Sequence, residues 1–166
     1  MTMASDPHAP PPDADLAWMH EALREAALAS DHGDVPVGAV IVDAGGRELA
    51  RAHNRRELDA DPTAHAEILA LRAAARQRGH WRLDDCTLFV TLEPCAMCAG
   101  AMVNARLGRL VFGASDPKAG AVVSLYRLAE DVRLNHRFAV RPGCAPEPSV
   151  ELLQRFFRAL RARGEK

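Results

Sequence analysis

Four side chains carry most of the chemistry this sequence offers: His65 and Glu67 in TAHAEI, and Cys95 and Cys98 in TLEPCAMCAG. A C-x-x-C pair alone fits a redox couple, half of a zinc site or plain packing. A thioredoxin-like couple would follow the first strand and have no matched histidine. Here Pro94 marks one helix start and Asp61-Pro62-Thr63 another, so both candidate groups stand at helix entrances. Cys95 and Cys98 then lie one turn apart on one face. Residues two apart on a regular helix point in different directions. His65 and Glu67 therefore reach one centre only if His65 keeps cap-like geometry and the longer Glu67 side chain folds back.

One imidazole and two thiolates suit Zn²⁺, with the nitrogen at about 2.0 to 2.1 Å, the sulfurs at about 2.3 Å and a fourth position left for water. That is the catalytic pattern, since a structural site is closed by a fourth protein ligand, and it implies one zinc per chain. The partial positive charge of helix N-termini favours thiolate over thiol. Glu67 stands outside the ligand set and reads as a proton shuttle: a carboxylate that takes a proton from activated water and later passes it to a leaving amine, as hydrolytic deamination requires. Cys86 and Cys144 read as small buried residues. His8 falls in the N-terminal tail, and His20, His32 and His80 read as surface residues of helices and their ends.

The elements that must position these groups follow from periodicity. Met1 to Asp13 has many prolines and no apolar repeat, and is expected to be a disordered tail ahead of one domain over 14–166. Leu16, Met19, Leu23, Ala26 or Ala27, and Ser30 form a helical stripe stopped at Asp31-His32-Gly33. Val35 to Val42 and Glu48 to Ala52 read as a hairpin around Ala44-Gly45-Gly46. Ala64 to Arg78 is predicted helical, with Gly79 as its stop. CTLFVTL and RLVFG read as buried strands joined by a crossover helix over Ala96 to Arg106. A weaker helix near Ala121 to Ala129, a short strand around Arg137 to Val140, and a helix from Pro148 to Arg163 with the stripe Val150, Leu153, Phe157, Leu160 complete the chain. The order gives a three-layer α/β/α domain.

A chain of 166 residues can bury roughly 70% of its unfolded surface in one core. Four cysteines, no hydrophobic leader and no apolar run near membrane-spanning length point to the cytoplasm and away from disulfide scaffolds and membrane spans. The net charge of −1 hides an asymmetry: residues 1–99 hold 9 Lys and Arg against 16 Asp and Glu, and residues 100–166 hold 12 against 6. A basic C-terminal part is suited to an anionic partner such as nucleic acid.

H-x-E followed by P-C-x-x-C resembles the zinc-dependent cytidine and nucleotide deaminase superfamily. VPVGAV at Val35, HNR at His53, DPTAHAEILALR at Asp61, VTLEPCAMCAGAM at Val90, LVFGASDPKAGA at Leu110, LNHR at Leu134 and FFRALR at Phe156 extend the resemblance to the bacterial tRNA-specific adenosine deaminases. This implies a cytidine-deaminase-like fold with a central five-stranded mixed sheet, and conversion of the wobble adenosine of a tRNA anticodon loop to inosine with release of ammonia. It also implies a homodimer. By resemblance, Asn54 hydrogen-bonds the target nucleoside, Asp116 and Lys118 lie in a loop that contacts the RNA, and Asn135 and His136 belong to an RNA-proximal segment. Arg158 and Arg161 on the C-terminal helix are candidates for phosphate contacts. The sequence departs from the family's usual residues at Pro117 and His53.

Overall fold

The structure, a computed structural model, describes residues 10–165; residues 1–9, where most of the expected tail falls, lie outside the described residues, as does Lys166. Nine elements follow one another: α1 (Asp13–Asp31), β1 (Gly38–Val42), β2 (Glu48–His53), α2 (Ala66–Arg78), β3 (Thr87–Leu92), α3 (Ala96–Asn104), β4 (Arg109–Ala114), β5 (Ala139–Arg141) and α4 (Pro146–Ala162). The sheet order is β2-β1-β3-β4-β5. β1 runs antiparallel to β2 and β3, whereas β3, β4 and β5 are parallel, so the sheet is five-stranded and mixed.

Alternation along the strands builds two cores. Ala39, Ile41, Leu88, Val90, Leu110 and Phe112 face α2 and α3, meeting Ala70, Leu71, Ala74, Ala99 and Met102. Val40, Val42, Phe89 and Val111 face the other way, onto Met19 and Ala22 of α1. A side-chain period of two thus yields three layers. Two glycines permit close approach of the outer helices: a Cβ on Gly38 would lie 2.0 Å from the Ala22 carbonyl oxygen, and one on Gly113 2.7 Å from Ser149 Oγ of α4. Asp15 ties α1 to β4 through a bidentate contact with Arg109, at 2.9 and 2.6 Å.

Two expectations change. Residues 121–129 form turns and not a helix: the N–H groups of Val122, Val123 and Ser124 go to the Glu93 carboxylate, and those of Leu125 and Leu128 go to the Gly120 and Ala121 carbonyls, outside the i to i−4 pattern of a helix. The inward face of α4 is also rotated from the expected stripe. Ser149 is buried and Leu152, Leu153, Phe156 and Leu160 are half-buried, while Val150 and Phe157 are exposed at 39% and 40%. The gap at Gly113 seats Ser149, and that sets the rotation.

Candidate active site

α2 and α3 present their N-termini to one cleft. Gly79, in left-handed backbone at φ 66°, ends α2; ahead of its start the Asp61 carboxylate accepts from the Thr63 N–H and hydroxyl and closes the turn that leads into it. His65 is the residue before the first turn of α2, in extended backbone (φ −72°, ψ 149°) and with no side-chain cap bond. Its ring is therefore free to point into the cleft. Cys95 occupies the same position on α3 (φ −74°, ψ 175°), with Cys98 in the following turn.

His65 Nδ1 lies 3.7 Å from Cys95 Sγ and 3.5 Å from Cys98 Sγ. All three donor atoms fall within 4.8 Å of one another. A tetrahedral ion with sulfur at about 2.3 Å and nitrogen at about 2.0 to 2.1 Å needs an S···N edge of about 3.6 Å. The spacing and softness of these donors fit zinc. Without an ion, the close approach of Cys98 and of His65 holds Cys95 well below the usual thiol range, while the Cys95 sulfur and burial push Cys98 up.

Two carboxylates line the same cleft and differ sharply. Glu67, in the first turn of α2, is 4% exposed, and burial pushes its carboxyl up. Burial also acts to raise Glu93, but hydrogen bonds from the Ser124 hydroxyl and from the N–H groups of Asp116, Ser124 and Val123 outweigh it and hold Glu93 below the usual carboxylate range. A raised, sparsely bonded carboxyl is fitted to exchange protons, whereas a lowered, fully bonded one is not. Glu93 is the acid of the cleft wall that sequence reasoning missed. The signal available was an acid at the end of an apolar strand, immediately before Pro94-Cys95.

The cleft encloses about 160 Å³, with apolar walls from Val35, Val37, Leu92 and Ala119 and polar groups from Asn54, Arg56, His65, Glu67, Glu93 and Asp116. Asn54 is fixed by donating Nδ2–H to the Val35 carbonyl at 3.1 Å and accepting the Arg56 N–H at 3.3 Å. One N–H and one acceptor position stay available. Asp116 Oδ1 accepts from the N–H groups of Lys118 and Ala119, leaving Lys118 exposed at the rim. A second groove continues from Val35, Asn54 and Arg56 to Phe156, Phe157 and Leu160 of α4. Arg158 and Arg161 are exposed but line neither groove. Asn135 and His136 stand apart from the cleft. Asn135 accepts from Arg106 through its carbonyl and side-chain oxygens, and His136 Nε2 lies 2.7 Å from the Leu107 carbonyl oxygen, so both sit beyond the C-terminal end of α3. His53 is engaged structurally, its Nδ1 2.9 Å from Glu25 of α1.

The chain matches the MafB19-like deaminase family over residues 13–161. A tRNA-specific adenosine deaminase of Bacillus subtilis is 47% identical over 147 residues, 89% of this chain and 91% of that protein. A solved structure from studies of A-to-I editing by tRNA:A34 deaminases at the wobble position of transfer RNA superposes with a TM-score of 0.79 at 45% identity, covering 82% of this chain and 99% of that one. A guanine deaminase of Bacillus subtilis is similar over a smaller part, 38% identical over 60% of this chain and 63% of that one, with a TM-score of 0.57. With a histidine, two cysteines and a buried glutamate converging at two helix starts, and this likeness running along nearly its whole length, the chain belongs to the tRNA-specific adenosine deaminase family within the MafB19-like deaminases.

Proposed function

We propose that the protein hydrolyses the wobble adenosine of a tRNA anticodon loop to inosine, releasing ammonia, with one zinc per subunit held by His65, Cys95 and Cys98. The observation that carries the reading is Glu67, buried in the same cleft as a three-donor set that leaves one tetrahedral position for a non-protein ligand. When bound, the ion supplies Lewis acidity that makes water a usable nucleophile near neutral pH. Glu67 takes a proton from the attacking water and later delivers one to the departing amine at C6 of the purine. Asn54 holds the nucleoside with its spare amide donor and acceptor, and the apolar walls shield the reaction from bulk water. The cleft, about 160 Å³, is a small one, which suits a single flipped base with the flanking RNA left outside.

Outside the cleft, Asp116 and Lys118 meet the RNA at the rim, and Arg158 and Arg161 contact phosphates from the exposed face of α4. Asn135 and His136 hold the segment before β5, and any RNA contact they make lies outside their own chain's cleft. The domain runs over 14–166. A second copy of the chain covers the groove between α2 and α3, where Ile68, Leu71 and Ala75 meet Ala101 and Ala105 and Trp81 is 55% exposed. The site of action is the cytoplasm, where tRNA is used, and no helix among the described residues is long and apolar enough to cross a membrane.

The test is incubation of zinc-loaded protein with an anticodon stem-loop carrying the wobble adenosine, beside free adenosine, guanine and cytidine. Inosine in the stem-loop with equivalent ammonia is the expected result. Deamination of guanine with an untouched stem-loop would replace this reading with that of a free-base deaminase.

A further inference from the structure

The loop between β4 and β5 has almost no regular structure at 115–124, yet it supplies Asp116 and Ala119 to the cleft wall. What holds it is one buried side chain from another element. Glu93, 2% exposed, follows β3 and receives hydrogen bonds at both carboxylate oxygens. Oε2 accepts the Asp116 N–H at 3.0 Å and the Ser124 hydroxyl. Oε1 accepts the N–H groups of Val122 at 3.4 Å, Val123 at 2.8 Å and Ser124 at 2.8 Å. Two ends of the loop, eight residues apart, thus close on a single carboxylate.

The backbone is shaped around this contact. A Cβ on Gly120 would lie 2.3 Å from both the Glu93 carboxyl carbon and Oε2 and 2.6 Å from the Asp116 carbonyl oxygen, so only glycine lets the chain pass there. Next to it, Gly120 bridges to Cys95 and the Ala121 N–H donates to the Pro94 carbonyl at 2.8 Å. The segment Glu93-Pro94-Cys95 therefore carries a loop clamp and a metal donor within three residues.

We propose that Glu93 is a positioning residue which fixes the 115–124 loop as the substrate-binding wall of the cleft and sets how well the adenosine-bearing loop is held, without touching the proton transfers. This rests on the deaminase reading above. The donors His65, Cys95 and Cys98 and the shuttle Glu67 are carried by α2 and α3, not by the clamped loop. Loosening the loop removes contacts made equally in ground and transition states, which raises KM and spares kcat.

The decisive variant is Glu93→Gln. Its amide keeps one carbonyl oxygen for the three N–H groups at 122–124 but turns an NH₂ toward the Asp116 N–H, so the Asp116 end of the clamp is lost. Zinc-loaded E93Q should keep wild-type metal content, show at least tenfold faster amide hydrogen exchange at Asp116, and raise KM for the stem-loop at least tenfold with kcat within threefold. Gly120→Ala, which pushes on the same carboxylate from the loop side, should give the same pattern, and the double variant should be no worse than the stronger single one. Exchange at Asp116 and Val122 to Ser124 in the wild type reads the clamp without any substrate, so an inactive wild type would count against the deaminase reading and leave the clamp measurable. Unchanged exchange and KM in E93Q would overturn the proposal. A fall in kcat at constant KM would overturn it in favour of a chemical role, and loss of zinc in both variants would overturn it in favour of a purely structural one.

Discussion

Replacing Glu67 by glutamine removes one exchangeable proton site while preserving side-chain volume. Glu67 is 4% exposed, lies in the first turn of α2, and stands outside the donor cluster of His65, Cys95 and Cys98. If it is the proton shuttle, its loss forfeits the general acid–base contribution of about 10²- to 10⁴-fold, which corresponds to about 2.7 to 5.5 kcal/mol of barrier. Stability should move the other way or not at all. A carboxyl whose folded value is raised costs stability at pH above its unfolded value of about 4.3, and a neutral amide carries no such cost. In metal-free protein, the state this shift describes, the Tm of E67Q at neutral pH should therefore match or exceed that of the wild type. The assay is single-turnover deamination of the stem-loop, paired with metal analysis and a melting curve. E67Q retaining more than a tenth of the wild-type rate would refute the shuttle. Zinc lost in proportion to activity would refute it differently, by making Glu67 a ligand.

Cys95→Ala should lose most of its zinc and melt at lower temperature, because ligation and cohesion of the α2 and α3 entrances share the same side chains; metal content by mass spectrometry and Tm by circular dichroism check it. Cys86 is 1% exposed and burial pushes its thiol up to about 11, so it should be inert to thiol reagents in the native protein, and Cys86→Ser should deaminate at the wild-type rate. Neutralising Arg158 and Arg161 together should weaken stem-loop binding at unchanged zinc content and lower the slope of log K against log salt by about 0.7 to 0.9 per lost phosphate contact, measured by a salt titration.

What could be read from the sequence was whatever depends on local signals. His65 before α2 and Cys95 before α3 were legible because Asp61-Pro62-Thr63 and Pro94 announce helix starts, and donor chemistry then limits what can converge there. The strands were legible because Val40 and Ile41, or Phe89 and Val90, are apolar on both faces, as strands covered on two sides must be. The 121–129 turns were not legible. Alanine and leucine there favour helix, but the N–H groups go to a carboxylate about thirty positions earlier, and no local rule contains that partner. The rotation of α4 was hidden for the same reason, since it depends on the missing side chain of Gly113 on another element. Asn135 and His136 came from resemblance alone, and the fold puts them beyond the far end of α3.

Glu67 and Glu93 make the point most sharply, because residue type cannot separate them. Both are buried acids in one cleft, each two residues from a metal donor. Their difference lies in what surrounds the oxygens: four backbone N–H groups and a hydroxyl for Glu93, against burial, its own backbone N–H and the Cys98 thiol for Glu67. Each N–H given to Glu93 stabilises its anion and commits the loop to one shape, so it is spent as a structural charge. Glu67 receives little stabilisation as an anion and burial pushes its carboxyl up, so unlike Glu93 it is fitted to hold a proton and give it back. Exchanging the environments would exchange the roles. Adding N–H donors around Glu67 should cost turnover even with its carboxylate in place, and that cost would come from the lowered basicity of the shuttle and not from any lost contact with substrate.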